Sequence, residues 1–125
     1  MFNREHREQV AVIDWARLMS PRHPALIWLH AIPNGGKRHP KIARELKAEG
    51  VKAGISDLFL PCPKGRYSGL YIEMKIRPNK PSEKQIEFMK YASGVGYACS
   101  VCYSSLEAID HLKKYLALPN KKVSR

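Results

Sequence analysis

The spacing of hydrophobic and polar positions changes several times along the chain, and each change predicts a new element. In residues 4–19, Val12 and Met19 recur at helical spacing among polar residues, which predicts an amphipathic first helix. Residues 25–32 (ALIWLHAI) form a continuous apolar run, which is typical of a strand. The polar residues 33–40 predict a loop, and the helix formers of residues 41–49 predict a second helix that stops at Gly50.

Two short apolar runs follow, at residues 57–61 and 70–77, and a turn-rich stretch joins them. Because this connection is too short for a crossover helix, we expect the runs to pair as an antiparallel hairpin. The rest of the chain predicts three elements: a helix at residues 82–96, a strand at residues 97–103 and a helix at residues 105–118. We expect Ile86, Met89 and Tyr91 to be the inward residues of the first of these helices.

The element order is therefore α-β-α-β-β-α-β-α, a small mixed sheet flanked by helices in the α/β class. The 125 residues suit one domain, which we expect to span residues 1–118, followed by a basic and mobile tail at residues 119–125. The polar N-terminus does not resemble a secretory signal, and no apolar run is long enough to cross a bilayer. A cytoplasmic protein without a membrane partner is the expectation.

Charge points to the class of partner. The chain has 22 Lys and Arg residues against 11 Asp and Glu residues, a formal net charge of +11, and a pI near 9.8. A small domain this basic attracts polyanions, most often nucleic acid. The charge alone predicts affinity for phosphate and carries no information about chemistry.

Charged residues also occur in the two apolar runs of the hairpin: Asp57 opens the first, and Glu73 and Lys75 lie within the second, which ends at Arg77. Alternation along a strand places Glu73 and Lys75 on one face, and the simplest interpretation is that this face meets solvent. The other interpretation is an active site, because pairing of the strands brings Asp57 beside Glu73. Two such carboxylates repel each other, and Mg²⁺ or Mn²⁺ between them relieves the repulsion. The backbone carbonyl of Met74 offers a further oxygen, and the Lys75 ammonium is placed to orient a water molecule.

The pattern Asp57 followed by Glu73-Met74-Lys75 resembles the D…E-x-K core of the PD-(D/E)xK nuclease superfamily. More narrowly, the chain resembles a virus-type replication-repair nuclease (VRR-Nuc) domain. It contains five segments of that family in order: EHREQVAVIDWAR, HAIPNGGKR, LKAEGVKAGISDLFLP, GLYIEMK and SEKQIEFM. Ser56 stands where the family has proline, at a position that is not a ligand. The resemblance implies a restriction-endonuclease-like core.

Carried over by position, the resemblance makes Asp57 and Glu73 the metal-binding acids and Lys75 the catalytic lysine. It gives Glu5 a contact to the metal through water, with Glu8 as a weaker alternative, and it places Gln85 toward the active site. Glu5 and Gln85 each have a structural alternative. Glu5 also suits a helix start, and Gln85 has capping-box spacing from Ser82. Further residues are expected to bind the nucleic-acid backbone near this site: Asn34, Lys37, Arg38, Lys64, Arg66, Arg77 and Lys80.

The implied activity is Mg²⁺- or Mn²⁺-dependent hydrolysis of DNA phosphodiester bonds, with no organic cofactor. The chain resembles the short members of the family that stand alone and are encoded by phages or prophages. This resemblance implies a protein of the bacterial cytosol that forms a homodimer and resolves four-way (Holliday) junctions. Two alternatives stay open at this point. One is a catalytically inert, basic DNA-binding module, and the other is a nuclease for flap, single-stranded or RNA substrates, on which Tyr67, Tyr71 and Tyr103 would stack.

Overall fold

The computed structural model of the chain describes residues 4–33 and 39–121. The helices are α1 (Arg4–Met19), a 3₁₀ helix (Pro24–Trp28), α2 (Pro40–Ala48), α3 (Glu83–Gly94) and α4 (Ser105–Leu116). The strands are β1 (His30–Ala31), β2 (Leu58–Leu60), β3 (Leu70–Met74) and β4 (Ala98–Cys102). Apart from the 3₁₀ helix, the element order is the one that the sequence predicts. None of the described helices is long and apolar enough to span a bilayer.

The four strands form one mixed sheet in the order β1-β2-β3-β4. β2 and β3 pair antiparallel with Leu58 opposite Ile72, which confirms the predicted hairpin. β3 and β4 pair parallel with Met74 beside Cys102, and α3 makes the crossover between them. The prediction of a small mixed sheet flanked by helices is confirmed.

The sheet is covered on both faces, and the two faces differ in chemistry. Leu58, Leu60 and Ile72 are fully buried on the first face, where they join the core that includes residues of α1 and α4. The other face carries aromatic residues, and the Tyr71 ring meets the Phe88 ring of α3 edge to face at 5.0 Å. Alternation along β3 therefore places Glu73, like Tyr71, on the face that α3 covers.

The predicted strand at residues 25–32 is wrong over most of its length. Pro24–Trp28 is a 3₁₀ helix, and only His30–Ala31 pairs with the sheet. Leu26 and Leu29 are buried while Ile27 and Trp28 are exposed, a spacing of three that matches the period of a 3₁₀ helix. Since every residue of this segment except His30 is apolar, the sequence pattern hides that period.

The predicted inward face of α3 also needs correction. Ile86 is 42% exposed and Tyr91 is 68% exposed, so both point away from the core. The side that meets the sheet carries Gln85 and Phe88, and Ala92 on the same side is buried. A polar residue thus occupies an inward position of this helix, which rotates the inward face relative to the apolar pattern.

Candidate metal centre and active site

The hairpin of β2 and β3 has two ends, and the charged residues gather at the end away from its connection. We call this end, with Asp57, Glu73 and Lys75, the open end, and the connection at residues 61–69 the turn end. Asp57 directly precedes β2, and the pairing of Leu58 with Ile72 brings it beside the last residues of β3. Its Oδ2 accepts a hydrogen bond from the Met74 backbone N–H at 2.7 Å. Asp57 is 8% exposed and Glu73 is 1% exposed.

The two oxygens of the Glu73 carboxylate have different surroundings. Oε2 accepts a hydrogen bond from the Gln85 side-chain amide, Nε2, at 2.9 Å. Oε1 is buried, and no donor among the described residues reaches it. A buried carboxylate oxygen without a partner costs free energy, so a group that binds it stabilises the folded chain.

Gln85 performs both of the roles that the sequence allows. Its Oε1 accepts from the Ser82 backbone N–H at 2.8 Å, and the Ser82 hydroxyl accepts from the Gln85 N–H, which makes a capping box at the start of α3. Because the amide oxygen is engaged at the cap, the NH₂ group is the end that faces Glu73. The cap of the helix thereby fixes the direction of the donor in the site.

Electrostatics at the open end disfavours negative charge. Burial raises the pKa of Glu73 to about 9, and the neighbouring Asp57 carboxylate adds to the rise, while Lys75 opposes it. Burial likewise raises the pKa of Glu5 above its ordinary value, again with a contribution from Asp57. Three carboxyl groups therefore share one region, and Lys75 is the ammonium that opposes their effect on one another within the described residues. A cation placed among them would relieve this repulsion.

The donor set fits a hard divalent cation. Within residues 4–33 and 39–121, no group of three or more His, Cys, Asp or Glu residues could hold a metal ion, so the candidate ligands are two carboxylates. Mg²⁺ commonly takes one or two carboxylates and keeps water or substrate phosphate as its other ligands. The unpartnered oxygen of Glu73 next to Asp57 suits that arrangement. Met74 is engaged at this point through its amide, as the donor to Asp57.

Two of the expected nucleic-acid contacts lie near the open end. Arg77 follows β3, and its guanidinium lies over the Tyr103 ring, 4.1 Å from the ring centroid. Tyr103 directly follows β4, whose Cys102 pairs with Met74. Lys80 is exposed in the connection from β3 to α3. Arg77 and Lys80 therefore both lie in the connection that leaves the open end of the hairpin toward α3, which we call the rim.

Lys64 and Arg66 lie elsewhere, which corrects their expected position near the site. Both belong to the turn end, separated from Asp57 by the length of β2. Lys64 Nζ donates to Asn120 Oδ1 at 2.7 Å, and the Arg66 guanidinium lies 5.2 Å from the Tyr67 ring centroid. Asn34, Lys37 and Arg38 lie outside the described residues.

Glu5 and Glu8, the two acids in the first turns of α1, have separate surroundings. The Asp57 and Lys75 charges act on Glu5, which places it toward the open end. Glu8, the weaker alternative in the sequence, instead accepts from the Ser105 backbone N–H at 2.9 Å and so caps α4. A contact between residues 97 positions apart has no local signal in the sequence.

Two of the three tyrosines that were expected to stack on bases pack against other aromatic rings of the fold. Tyr71 packs against Phe59 with ring centroids 4.4 Å apart, and Tyr67 packs against Tyr115 at 6.2 Å. Tyr103 lies under Arg77 near the open end, while Tyr67 lies beside Arg66 at the turn end.

Comparisons with known proteins identify the family and support the fold. The family model described as "VRR-NUC domain" matches residues 3–106. A solved structure titled "VRR_NUC domain protein" superimposes with a TM-score of 0.78 at 26% sequence identity, covering 100% of this chain and 98% of the other. No curated protein matches the sequence.

Proposed function

Because the chain belongs to the VRR-NUC domain family, and that family implies a nuclease of the PD-(D/E)xK type, we propose that it is a metal-dependent DNA endonuclease. The observation that carries the proposal is the buried Oε1 of Glu73, which has no donor among the described residues and lies beside a second buried carboxylate. The metal we propose is Mg²⁺ or Mn²⁺, held by Asp57 and Glu73. The backbone carbonyl of Met74 is a further proposed ligand.

Each residue of the open end has a proposed role in hydrolysis. The bound cation would supply Lewis-acid polarisation of the phosphate and of a water molecule. Lys75 shares a face with Glu73 and orients the attacking water, and its charge offsets the charge that develops on the phosphate. Gln85 holds Glu73 by one oxygen, which would leave the other oxygen for the cation. Glu5 would contact the cation through water.

The substrate we propose is DNA. The formal net charge of +11 supports a polyanion, and Arg77 and Lys80 at the rim are the proposed backbone contacts. From the resemblance to short members of the family, we further propose that the protein is a homodimer that cuts four-way junctions, since a two-fold dimer matches a symmetric junction. By the same resemblance, we place it in the bacterial cytosol, encoded by a phage or prophage.

A cleavage assay tests the proposal. A labelled four-way junction and a linear duplex with the same arms are incubated with the protein in Mg²⁺, in Mn²⁺ and in chelator. We expect cutting only with metal, and faster cutting of the junction than of the duplex. The Glu73→Ala variant should keep DNA binding and lose cutting.

The outcomes separate the alternatives. Equal cutting of junction and duplex would retain the nuclease and reject selectivity for junctions. Tight binding without cutting in either metal would reject the enzyme and favour an inert DNA-binding module. Faster cutting of RNA than of DNA in the same buffers would reject DNA as the substrate.

A further inference from the structure

A groove of about 800 Å³ lies between α3 on one side and α2 with the segment that follows α2 on the other. This volume is within the range of about 300–1,000 Å³ that ligand clefts occupy. Leu46 and Val51 form part of its wall, and neither is fully buried. α2 has no buried residue at all, although its apolar and polar residues are segregated as in a packed helix. The groove is therefore a partly apolar surface that no described part of the chain covers.

Aromatic rings and lysines dominate the chemistry of the groove. Phe88 and Tyr91 line it from α3. Phe88 is held from behind by its edge contact with Tyr71, while Tyr91 is 68% exposed. Three lysines line the same groove: Lys47, Lys52 and Lys84. An exposed ring among positive charges is how proteins bind unpaired bases together with their phosphates.

The groove also adjoins the candidate active site. Lys84 precedes Gln85, which bonds to Glu73, so the first turn of α3 has one side toward the site and the other toward the groove. Gly54 packs against this turn: a Cβ atom there would lie 2.8 Å from Lys84 Cβ and 2.9 Å from the Lys84 carbonyl carbon. Three residues after Gly54 the chain reaches Asp57. A DNA strand that leaves the candidate active site would therefore have a short path to the groove.

Charge decides which occupant fits. A second copy of this chain docked symmetrically on the groove would bring two sets of three lysines together, with Glu87 as the only acid among the described residues that line each groove. Such a contact places like charges face to face, which is unfavourable. A polyanion with flat apolar groups satisfies both the lysines and the rings.

We propose that this groove binds unpaired nucleotides of the DNA substrate, with a base stacked on Tyr91 and the adjoining phosphates held by Lys47, Lys52 and Lys84. The proposal rests on DNA being the substrate and extends it, because it predicts a preference for DNA with single-stranded character beside the cut. Base stacking does not read sequence, so any preference among bases is weak.

Binding to a labelled oligothymidylate and to a duplex of equal length, measured by fluorescence anisotropy in chelator, tests the groove. We expect Tyr91→Ala to weaken single-strand binding about tenfold and to leave duplex binding within about twofold, because only unpaired bases stack. Tyr91→Phe should bind as the wild type does, since it keeps the ring. Lys84→Ala should lower the salt dependence of single-strand binding by about one phosphate contact.

Trp28 provides the matched control, because it is an aromatic residue of equal exposure, 67%, on the 3₁₀ helix that packs against α1 on the other side of the molecule. Trp28→Ala should leave both affinities unchanged. An equal loss on single strand and duplex in Tyr91→Ala would overturn the proposal, as would unchanged single-strand binding. Light scattering on the same variants tests the remaining occupant: a dimer that dissociates in Tyr91→Ala would assign the groove to a second copy and overturn the proposal.

The experiments distinguish failure of the groove proposal from failure of the proposed nuclease activity. Binding is measured without metal, so an inactive enzyme still reports on the groove. If the wild type cuts DNA while Tyr91→Ala binds single strands normally, the groove proposal falls and the nuclease stands. If Tyr91→Ala loses single-strand binding while the wild type cuts nothing in any metal, the reverse holds.

Discussion

The two ends of the β2–β3 hairpin both carry polar groups, but they differ in whether those groups have hydrogen-bond partners. At the turn end, the groups have partners: Tyr115 Oη donates to the Cys62 carbonyl at 2.6 Å, and Lys64 Nζ donates to Asn120 at 2.7 Å. Residue 119 is also held there, because its carbonyl accepts from the Gly65 N–H at 2.6 Å. At the open end, two carboxylates lie buried together, and one oxygen of Glu73 has no donor among the described residues.

This difference separates stabilising polar groups from those available for chemistry. A satisfied hydrogen bond contributes about 1 kcal/mol to stability. A buried carboxylate beside another carboxylate costs stability, and it persists in a fold when a ligand or a function offsets that cost. The contrast predicts that changes at the open end affect catalysis and metal binding, whereas changes at the turn end affect stability alone.

Removing Glu73 should have the largest effect. We expect Glu73→Ala to lower metal-dependent cleavage roughly 10³-fold, because a buried electrostatic contact to the reacting groups is lost. Asn120→Ala, which removes the Lys64 partner at the turn end, is the control and should cut at the wild-type rate. Initial rates on a labelled junction measure both. Comparable losses in the two variants would erase the distinction between the ends.

Changing Gln85 sharpens the comparison, because this residue joins the helix cap to the site. Gln85→Glu keeps an acceptor for the Ser82 N–H but puts a third carboxylate beside Glu73, so we expect cleavage and metal affinity to fall about 10- to 100-fold. Circular dichroism should show unchanged helix content. If Gln85→Glu cuts like the wild type, Gln85 acts only as a cap.

The stability of the metal-free protein should fall as pH rises. The pKa of Glu73 is raised to about 9 in the folded chain, from an ordinary value of 4.5, so the folded state binds the extra proton between these values. The stabilisation is complete below pH 4.5 and is lost as pH rises toward 9. Thermal melts in chelator across this range should show the decline.

Glu73→Gln removes this titration and is the matched control for the pH series. Its melting temperature in chelator should exceed that of the wild type at pH 8 and depend less on pH. Adding Mn²⁺ should raise the melting temperature of the wild type more than that of the variant. A wild type whose stability rises between pH 5 and 8, relative to Glu73→Gln, would contradict the account.

The smallest effect belongs to the turn end. Tyr115→Phe removes the hydrogen bond to the partly buried Cys62 carbonyl, and we expect the free energy of unfolding to fall by about 1 kcal/mol. Urea denaturation measures this change. Cleavage should be unaffected, and a loss of cleavage at equal stability would extend the active site to this end.

Much of the fold follows from local patterns in the sequence. Helical spacing in α1 and the short connection of the hairpin were sufficient to predict both elements. Residues 25–32 were not predictable, because a continuous apolar run suits a strand and a 3₁₀ helix equally. The prediction of the inward face of α3 was wrong for a different reason. Gln85 turns inward to contact Glu73, and hydrophobic periodicity does not count a polar residue as inward.

In the site, too, the residues placed by local patterns were predictable, and those placed by contacts between distant segments were not. Alternation and hairpin pairing brought Asp57 and Glu73 together from the sequence alone. Lys64 lies at the turn end and not near the open end, because basic residues in loops carry no information on which end of a hairpin they join; its contact with nucleic acid stays a prediction. The roles of Glu8 and Tyr103 depend on contacts between distant segments, which one sequence does not reveal.

Direct titration of Mn²⁺ tests the central claim that Asp57 and Glu73 form a cation site. Calorimetry at neutral pH, with the wild type, Glu73→Gln and the turn-end variant Asn120→Ala, compares the two ends without any DNA. The account predicts saturable binding in the wild type and in Asn120→Ala, and binding weakened at least about tenfold in Glu73→Gln. Equal Mn²⁺ affinity in all three proteins would contradict it.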